Sequence, residues 1–246
     1  MVNDRDESRY KKWESDHEER GTSELIPAAT VVIMRDSESG IELLMLRKNS
    51  KVAFGGMWVF PGGKIDETDK VIDSDGSLNE LATATNAAVR ETFEEAAISV
   101  SQENLFWFSH WVPPAITPKR FSTYFFATKL LDGDEVIIDD SEIIEHNWFH
   151  PDEAISLRDA GEIELAPPTW VTLNLLIPFT NAEDALNELD AKDPMFYETH
   201  IAQSAKGPVA MWFGDAGYEK TDPDIAGERH RLTMTRDGYH FEQSNS

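Results

Sequence analysis

The stretch RETFEEAAI, residues 90–98, carries glutamates at 91, 94 and 95 beside Arg90. On an α-helix, positions i, i+3 and i+4 share one face, so Glu91, Glu94 and Glu95 crowd like charges onto one turn. Unneutralised, that crowding destabilises the helix. The surrounding residues 81–96, LATATNAAVRETFEEA, are rich in helix formers, and Leu81, Val89, Phe93 and Ala96 fall roughly opposite the acids. The spacing predicts an amphipathic helix whose apolar side faces away from the glutamates. Taken alone, these residues leave two readings open. Acids on an exposed helix are ordinarily solvated, and Arg90 can pair with Glu94 at i,i+4. Equally, hard divalent cations such as Mg2+ and Mn2+ take oxygen ligands, commonly one or two carboxylates completed by substrate phosphates.

Upstream of this helix, PAATVVIMRD and IELLMLRKN are two β-rich apolar runs separated by the turn-like SESG, which predicts an antiparallel hairpin. GGMWVFPGG follows as a third short strand that Pro61-Gly62-Gly63 breaks into a loop. Downstream, FWFSHW, FSTYFFATKLL and the stretch around IIEHNWF read as strands, while PDEAISLRDAG and PPTWVTLNLLIPF read as helices opening at proline. Beyond residue 193, VAMWF and RHRLTMT are further strands, and Asp237-Gly238 marks a hairpin into YHFEQ. The chain thus divides into a charged, exposed N-terminal arm (1–24), a main domain (25–192) and a β-rich C-terminal extension with a hairpin (193–246).

At 246 residues the chain can bury a sizeable core. Lys and Arg total 22 against 46 Asp and Glu, and the net charge of -24 repels a phosphate-rich polymer, so extended nucleic acid is not an expected partner. A small polyanionic substrate would need a local cationic site. The lack of cysteine removes disulfides, thiolate metal sites and a cysteine nucleophile. With no apolar run long enough to span a bilayer and no basic, apolar leader, a membrane is not expected and the cytoplasm is the expected compartment.

Context decides between the two readings of the acids. The run FPGGKIDETDKVIDSDGSLNELATATNAAVRETFEEAAI resembles the Nudix box of nucleoside-diphosphate-linked hydrolases, with Gly63, Arg90, Glu91, Glu94, Glu95 and Ile98 at matching positions. Asp69 stands at the position of a glutamate, about 13 residues are inserted before Arg90, Thr92 replaces an apolar residue, and Ala97 replaces a glycine. The resemblance implies an α/β Nudix fold, an α/β/α sandwich around a mixed sheet. It also implies Glu91, Glu94 and Glu95 as ligands of Mg2+ or Mn2+, Arg90 as the residue orienting a box carboxylate, and an additional acid from a later loop. DDSEIIEHNWF offers Glu142 first and Glu145 second for that role, with Asp139 and Asp140 competing.

LLMLRKNSKVAFGGMWVFPGG is similar to the motif of coenzyme A diphosphatases at Leu43, Leu44, Arg47, Gly56 and Phe60 to Gly63, but departs from it at Met45, Lys48 and Val52. VFPGGKID with its insert, the W-x-x-P segment, PKRFSTYFF and LAPPTWVTLNLL resemble the subgroup of acyl-CoA and CoA diphosphatases, which implies cleavage to 3',5'-ADP and a 4'-phosphopantetheine product. On this resemblance Arg47, Gly62, Gly63, Trp111 and Arg120 are the candidate substrate contacts, with Phe121 a core or stacking residue. Pro113 and Pro114 keep ADP-ribose as the alternative substrate. A catalytically silent nucleotide-binding module is the alternative of another class, and a homodimer is the candidate assembly.

Overall fold

The computed structural model describes residues 4–51, 53–131 and 133–244, so Val52 lies outside the described residues. The charged arm forms a helix, α1 (Asp4–Arg20). It is not wholly exposed: Asp6 and Tyr10 are buried and Trp13 packs against the core, a one-sided i, i+4, i+7 set hidden among charged neighbours. Asp6 accepts hydrogen bonds from Arg158 (2.9 Å) and from the Tyr239 hydroxyl (2.8 Å), which ties the arm to the rest of the chain.

The expected hairpin forms from β1 (Leu25–Ser37) and β2 (Gly40–Lys48) and closes at Ser37 and Gly40. Its apolar runs are nearly continuous because both faces are covered. Val32 and Met34, with Ile41, Leu43 and Met45, enter one core, while Val31 and Ile33, with Leu44 and Leu46, enter another. β3 (Trp58–Val59) pairs with β2. The Gly62-Gly63 pair, read above as loop, instead belongs to β4 (Gly62–Lys64), antiparallel to β1. Gly62 has φ +153, and a Cβ there would collide with the Ala29 carbonyl and the Thr30 backbone, so β4 lies against β1 only because it starts with glycine.

α2 (Glu80–Ala96) is capped by Asn79, whose side chain accepts from the Ala82 amide at 2.9 Å. Its orientation differs from the sequence expectation. Leu81 and Phe93 are exposed, Phe93 by 57%, and the face on the sheet consists of Thr83, Ala84, Ala87, Ala88, Thr92, Glu95 and Ala96. Small side chains seat the helix on a sheet surface already filled by Val31, Ile33, Leu44, Leu46 and Phe126. Glu95, and in part Glu91, therefore continue the core-facing side of the helix, while Glu94 stays exposed. Ala97 ends the helix at φ +56, the left-handed conformation that glycine adopts without penalty, at a cost of about 1–2 kcal/mol.

The remaining elements of the main sheet are β5 (Phe106–Val112), β6 (Arg120–Lys129) and β7 (Ile143–Phe149). After them come α3 (Pro151–Ala160), α4 (Pro167–Leu176), α5 (Ala182–Asp190) and β8 (Met195–Glu198). The strand order is β3-β2-β1-β6-β5-β8, with β4 on β1 and β7 on β2. The sheet is mixed, because β1 with β6 and β5 with β8 are parallel pairs. α2 covers one face, and α3, α4 and α5 cover the other, giving the expected sandwich. α5 and β8 had no counterpart in the sequence reading, and β8, beyond residue 193, completes the main sheet. β9 (His200–Ser204), β10 (Gly207–Met211), β11 (His230–Thr235) and β12 (Gly238–Gln243) form a second, antiparallel sheet. The hairpin at Asp237-Gly238 closes on the Thr235 and Gly238 pair.

Candidate active site

The acids of α2 meet the glycines of β4. The Gly62 amide donates to Glu95 Oε2 at 2.9 Å. A Cβ on Gly63 would lie 2.5 Å from the Glu91 carboxyl carbon, so this glycine makes the room that the Glu91 carboxylate occupies. Both glycines act by letting acids and strands approach one another.

Arg90 is the hub of the helix turn. Its Nε and one terminal nitrogen donate to the two oxygens of Asp69 at 2.9 and 2.8 Å, and the same terminal nitrogen reaches the Lys64 carbonyl at 3.0 Å. The other terminal nitrogen donates to Glu91 at 2.8 Å and to Glu94 at 2.9 Å. Asp69 is buried at the end of a short 3-10 turn, so the insert folds in a way that returns this acid to Arg90. Burial alone would raise the Asp69 pKa, but the Arg90 hydrogen bonds and the Asp66 amide outweigh it and hold the carboxyl below its ordinary value. Burial raises Glu91 despite Arg90.

A second cation lies deeper. Lys48 Nζ donates to Glu95 Oε1 at 2.6 Å and to Glu142 Oε1 at 2.7 Å. Burial disfavours its charge, yet Glu95 and Glu142 more than restore it, and Lys48 stays cationic above its ordinary range. Burial lifts Glu95 to about 7 against the pull of Lys48 and the Gly62 amide. The loop bearing Glu142 is shaped by Asp139, which accepts from the amides of Glu142 and Ile143 at 2.9 and 2.8 Å. The Asn49 amide donates to the Glu142 carbonyl at 2.7 Å, fastening that loop to the end of β2.

The fold thus brings together Arg90, Glu91, Glu94, Glu95, Gly62, Gly63 and Glu142. Three other sequence candidates lie elsewhere. Arg47 precedes Lys48 on β2 and so points to the opposite face, where it pairs with the exposed Glu145 at 3.0 Å. Trp111 is corrected to a core residue: it is 3% exposed and stacks on Tyr197 of β8 with centroids 3.8 Å apart. The Arg120 guanidinium is committed to backbone carbonyls, donating to Pro113 (3.3 and 3.1 Å) and Ser23 (3.2 Å). Sequence reasoning missed Lys48 as a site residue, and set Asp69 at a box position without giving it a role. The signal for Lys48 was the strand alternation, which aligns it with the inward Leu44 and Leu46.

Arg90 and Lys48 stand between the acids. Among the described residues, no three His, Asp or Glu side chains are gathered closely enough to hold a metal ion by themselves. No described helix is long and apolar enough to cross a membrane.

The NUDIX domain profile matches residues 24–171, from the start of β1 into α4. A putative nudix hydrolase 7 of Caenorhabditis elegans is 25% identical over 191 residues, covering 63% of this chain and 61% of that protein. The acyl-coenzyme A diphosphatase NUDT19 of Xenopus laevis is 28% identical over 140 residues, covering 52% of this chain and 36% of that protein. The matches span less than two thirds of either relative. The crystal structure of a NUDIX hydrolase from Alicyclobacillus acidocaldarius superposes with a TM-score of 0.58 at 22% identity, covering 70% of this chain and 99% of that one, a likeness of fold. With most of its length matched by the domain profile, the chain belongs to the Nudix family.

Proposed function

We propose that this protein hydrolyses the diphosphate bond of a nucleoside-diphosphate-linked small molecule with Mg2+ or Mn2+, and that the substrate is CoA or acyl-CoA, released as 3',5'-ADP and (acyl-)4'-phosphopantetheine. The observation that carries the reaction class is the turn of α2, where Glu91 and Glu94 flank Arg90 and Glu95 accepts from the glycine strand. The donor set suits a hard cation. All three ligands are carboxylates, and Gly63 leaves the space that Glu91 fills. Glu91, Glu94 and Glu95 would hold the metal, which when bound polarises phosphorus and offsets charge on the leaving phosphate.

The chain's own residues supply the rest. Asp69 occupies one edge of the Arg90 guanidinium, so that Arg90 faces Glu91 and Glu94 from a fixed position. Lys48 draws Glu142 toward Glu95, and the half-exposed Glu142 carboxylate would take a proton from the attacking water. Arg47 is exposed, and its single surface pair with Glu145 is weak enough to exchange for a substrate phosphate. The CoA assignment is supported by the run from Leu43 to Gly63 and by the 28% identity to an acyl-CoA diphosphatase. The partner on this reading is a small nucleotide derivative, not nucleic acid, and the compartment is the cytoplasm.

The test is a screen of CoA, acyl-CoA, ADP-ribose and diadenosine polyphosphates with each metal, in water enriched in heavy oxygen. Release of 3',5'-ADP with label in one product phosphate is expected. Cleavage of ADP-ribose alone would move the substrate, and no product from any of them would favour a nucleotide-binding module.

A further inference from the structure

Lys48 is a buried charge held between two acids of the site. Its side chain is 7% exposed and lies on the β2 face that carries Leu44 and Leu46. Taking an ammonium out of water costs several kcal/mol unless carboxylates compensate it. Here Glu95 from α2 and Glu142 from the loop before β7 both touch the same nitrogen, at 2.6 and 2.7 Å. Both carboxylate oxygens thus lie at hydrogen-bond distance from one buried cationic centre. A Mg2+ ion, with oxygen ligands at about 2.0–2.1 Å, would need each carboxylate to move inward by only about 0.5 Å.

Arg90 behaves differently. It spends three of its five N–H donors on Asp69 and the Lys64 carbonyl, and leaves the Glu95 side of the cluster to Lys48. The two cations therefore divide the acids between them: Arg90 serves Asp69, Glu91 and Glu94, and Lys48 serves Glu95 and Glu142.

We infer that Lys48 is a resident cation standing in for a divalent ion between Glu95 and Glu142, so that this chain takes up one divalent ion fewer than its acids can hold. Lys48 is on this account a positioning residue, keeping Glu142 beside the α2 acids without metal. The inference rests on the assignment of Glu91, Glu94 and Glu95 as metal ligands, and its consequence is a number of bound ions.

The experiment measures Mn2+ bound per chain by equilibrium dialysis, and the shift in melting temperature on adding Mn2+, for wild type, Lys48→Met and Lys48→Arg. Lys48→Met should bind one more Mn2+ than wild type and gain more in melting temperature from it. Lys48→Arg, which keeps the charge, should match wild type. Equal stoichiometry and equal shifts in Lys48→Met and wild type overturn the inference, as does a gain of Mn2+ in Lys48→Arg. If Lys48→Met does not fold in metal-free buffer, recovery of its native circular dichroism with Mn2+ supports the inference and failure to recover overturns it. Wild type binding no Mn2+ while Lys48→Met binds one sinks only the wild-type metal assignment. No binding by either sinks both.

Discussion

At Asp215 and at Glu95 the protein buries a carboxylate, with opposite results. Asp215 meets Arg231 edge to edge through two bonds of 2.6 Å and also accepts the amides of Gly217 and His230. Burial would raise its pKa, but the guanidinium and the amides outweigh burial and hold it below its ordinary value. Glu95 shares its single cation with Glu142, and burial wins, lifting it to about 7. The networks differ in stoichiometry. In the C-terminal sheet one acid matches one base. Around α2, five acids (Asp69, Glu91, Glu94, Glu95 and Glu142) share Arg90 and Lys48. A pair that only holds a fold together has no reason to carry surplus charge, whereas a site for cations and phosphates does.

Removing the base from the matched pair gives the largest expected effect. Arg231→Met leaves Asp215 buried and unpaired, and stability should fall by about 3–5 kcal/mol in urea unfolding, with kcat of the folded protein unchanged. A loss under 1 kcal/mol, or a lower kcat, would break the contrast from the structural side. Glu94→Gln attacks the surplus. Its side chain is 55% exposed, so its removal leaves the core untouched, and the melting temperature should barely move. Metal-dependent kcat should fall by about 10²–10³-fold, the scale of losing one preorganised charge from a reacting site. Retention of kcat within tenfold would make the acids of α2 an ordinary solvated face.

This contrast also explains which parts of the molecule were legible in its sequence. The β1–β2 and β11–β12 hairpins follow from local turn chemistry at SESG and Asp237-Gly238, and the spacing of Glu91, Glu94 and Glu95 follows from helix geometry alone. The partners of those acids do not. Lys48 reaches Glu95 across 47 residues, and Asp69 reaches Arg90 across 21, closures set by how the sheet and the insert fold. The face of α2 was misread because Leu81 and Phe93 weigh more in hydropathy than alanine, whereas close seating on a filled sheet selects alanine and threonine. β8 has only four residues, and its strand character comes from parallel pairing with β5, which also buries Trp111. A short segment holds no local record of such a partner.

The two carboxylates should also separate in their pH dependence, measured on metal-free protein. Glu95 titrates near 7 in the folded chain and near 4.5 when unfolded. Between these values the native chain holds a proton that the unfolded chain has released. This contribution to stability is full below pH 4.5 and is lost as pH rises to about 7, with a slope of at most about 1.4 kcal/mol per pH unit. Asp215 has the opposite sign: its folded pKa lies below the ordinary 3.8, so its contribution is present above 3.8 and is lost as pH falls. Urea unfolding of Glu95→Gln should lack the decline between pH 4.5 and 7 that wild type shows. A decline of equal size in the variant would mean that Glu95 is not the group responsible.

The smallest effect tests whether the two faces of β2 are separate. Arg47 and Lys48 are adjacent, yet strand alternation sends one to an exposed pair with Glu145 and the other to the buried pair of acids. Arg47→Ala should change stability by less than about 0.5 kcal/mol, since exposed ion pairs contribute little. If Arg47 contacts a substrate phosphate, KM for CoA should rise about tenfold, the loss of one charge-assisted hydrogen bond, with kcat and bound Mn2+ unchanged. A fall in kcat or a change in Mn2+ stoichiometry would mean that Arg47 acts through Lys48. The surplus of acids would then be balanced by both cations at the end of β2, and the division into a binding face and a reacting face would fail.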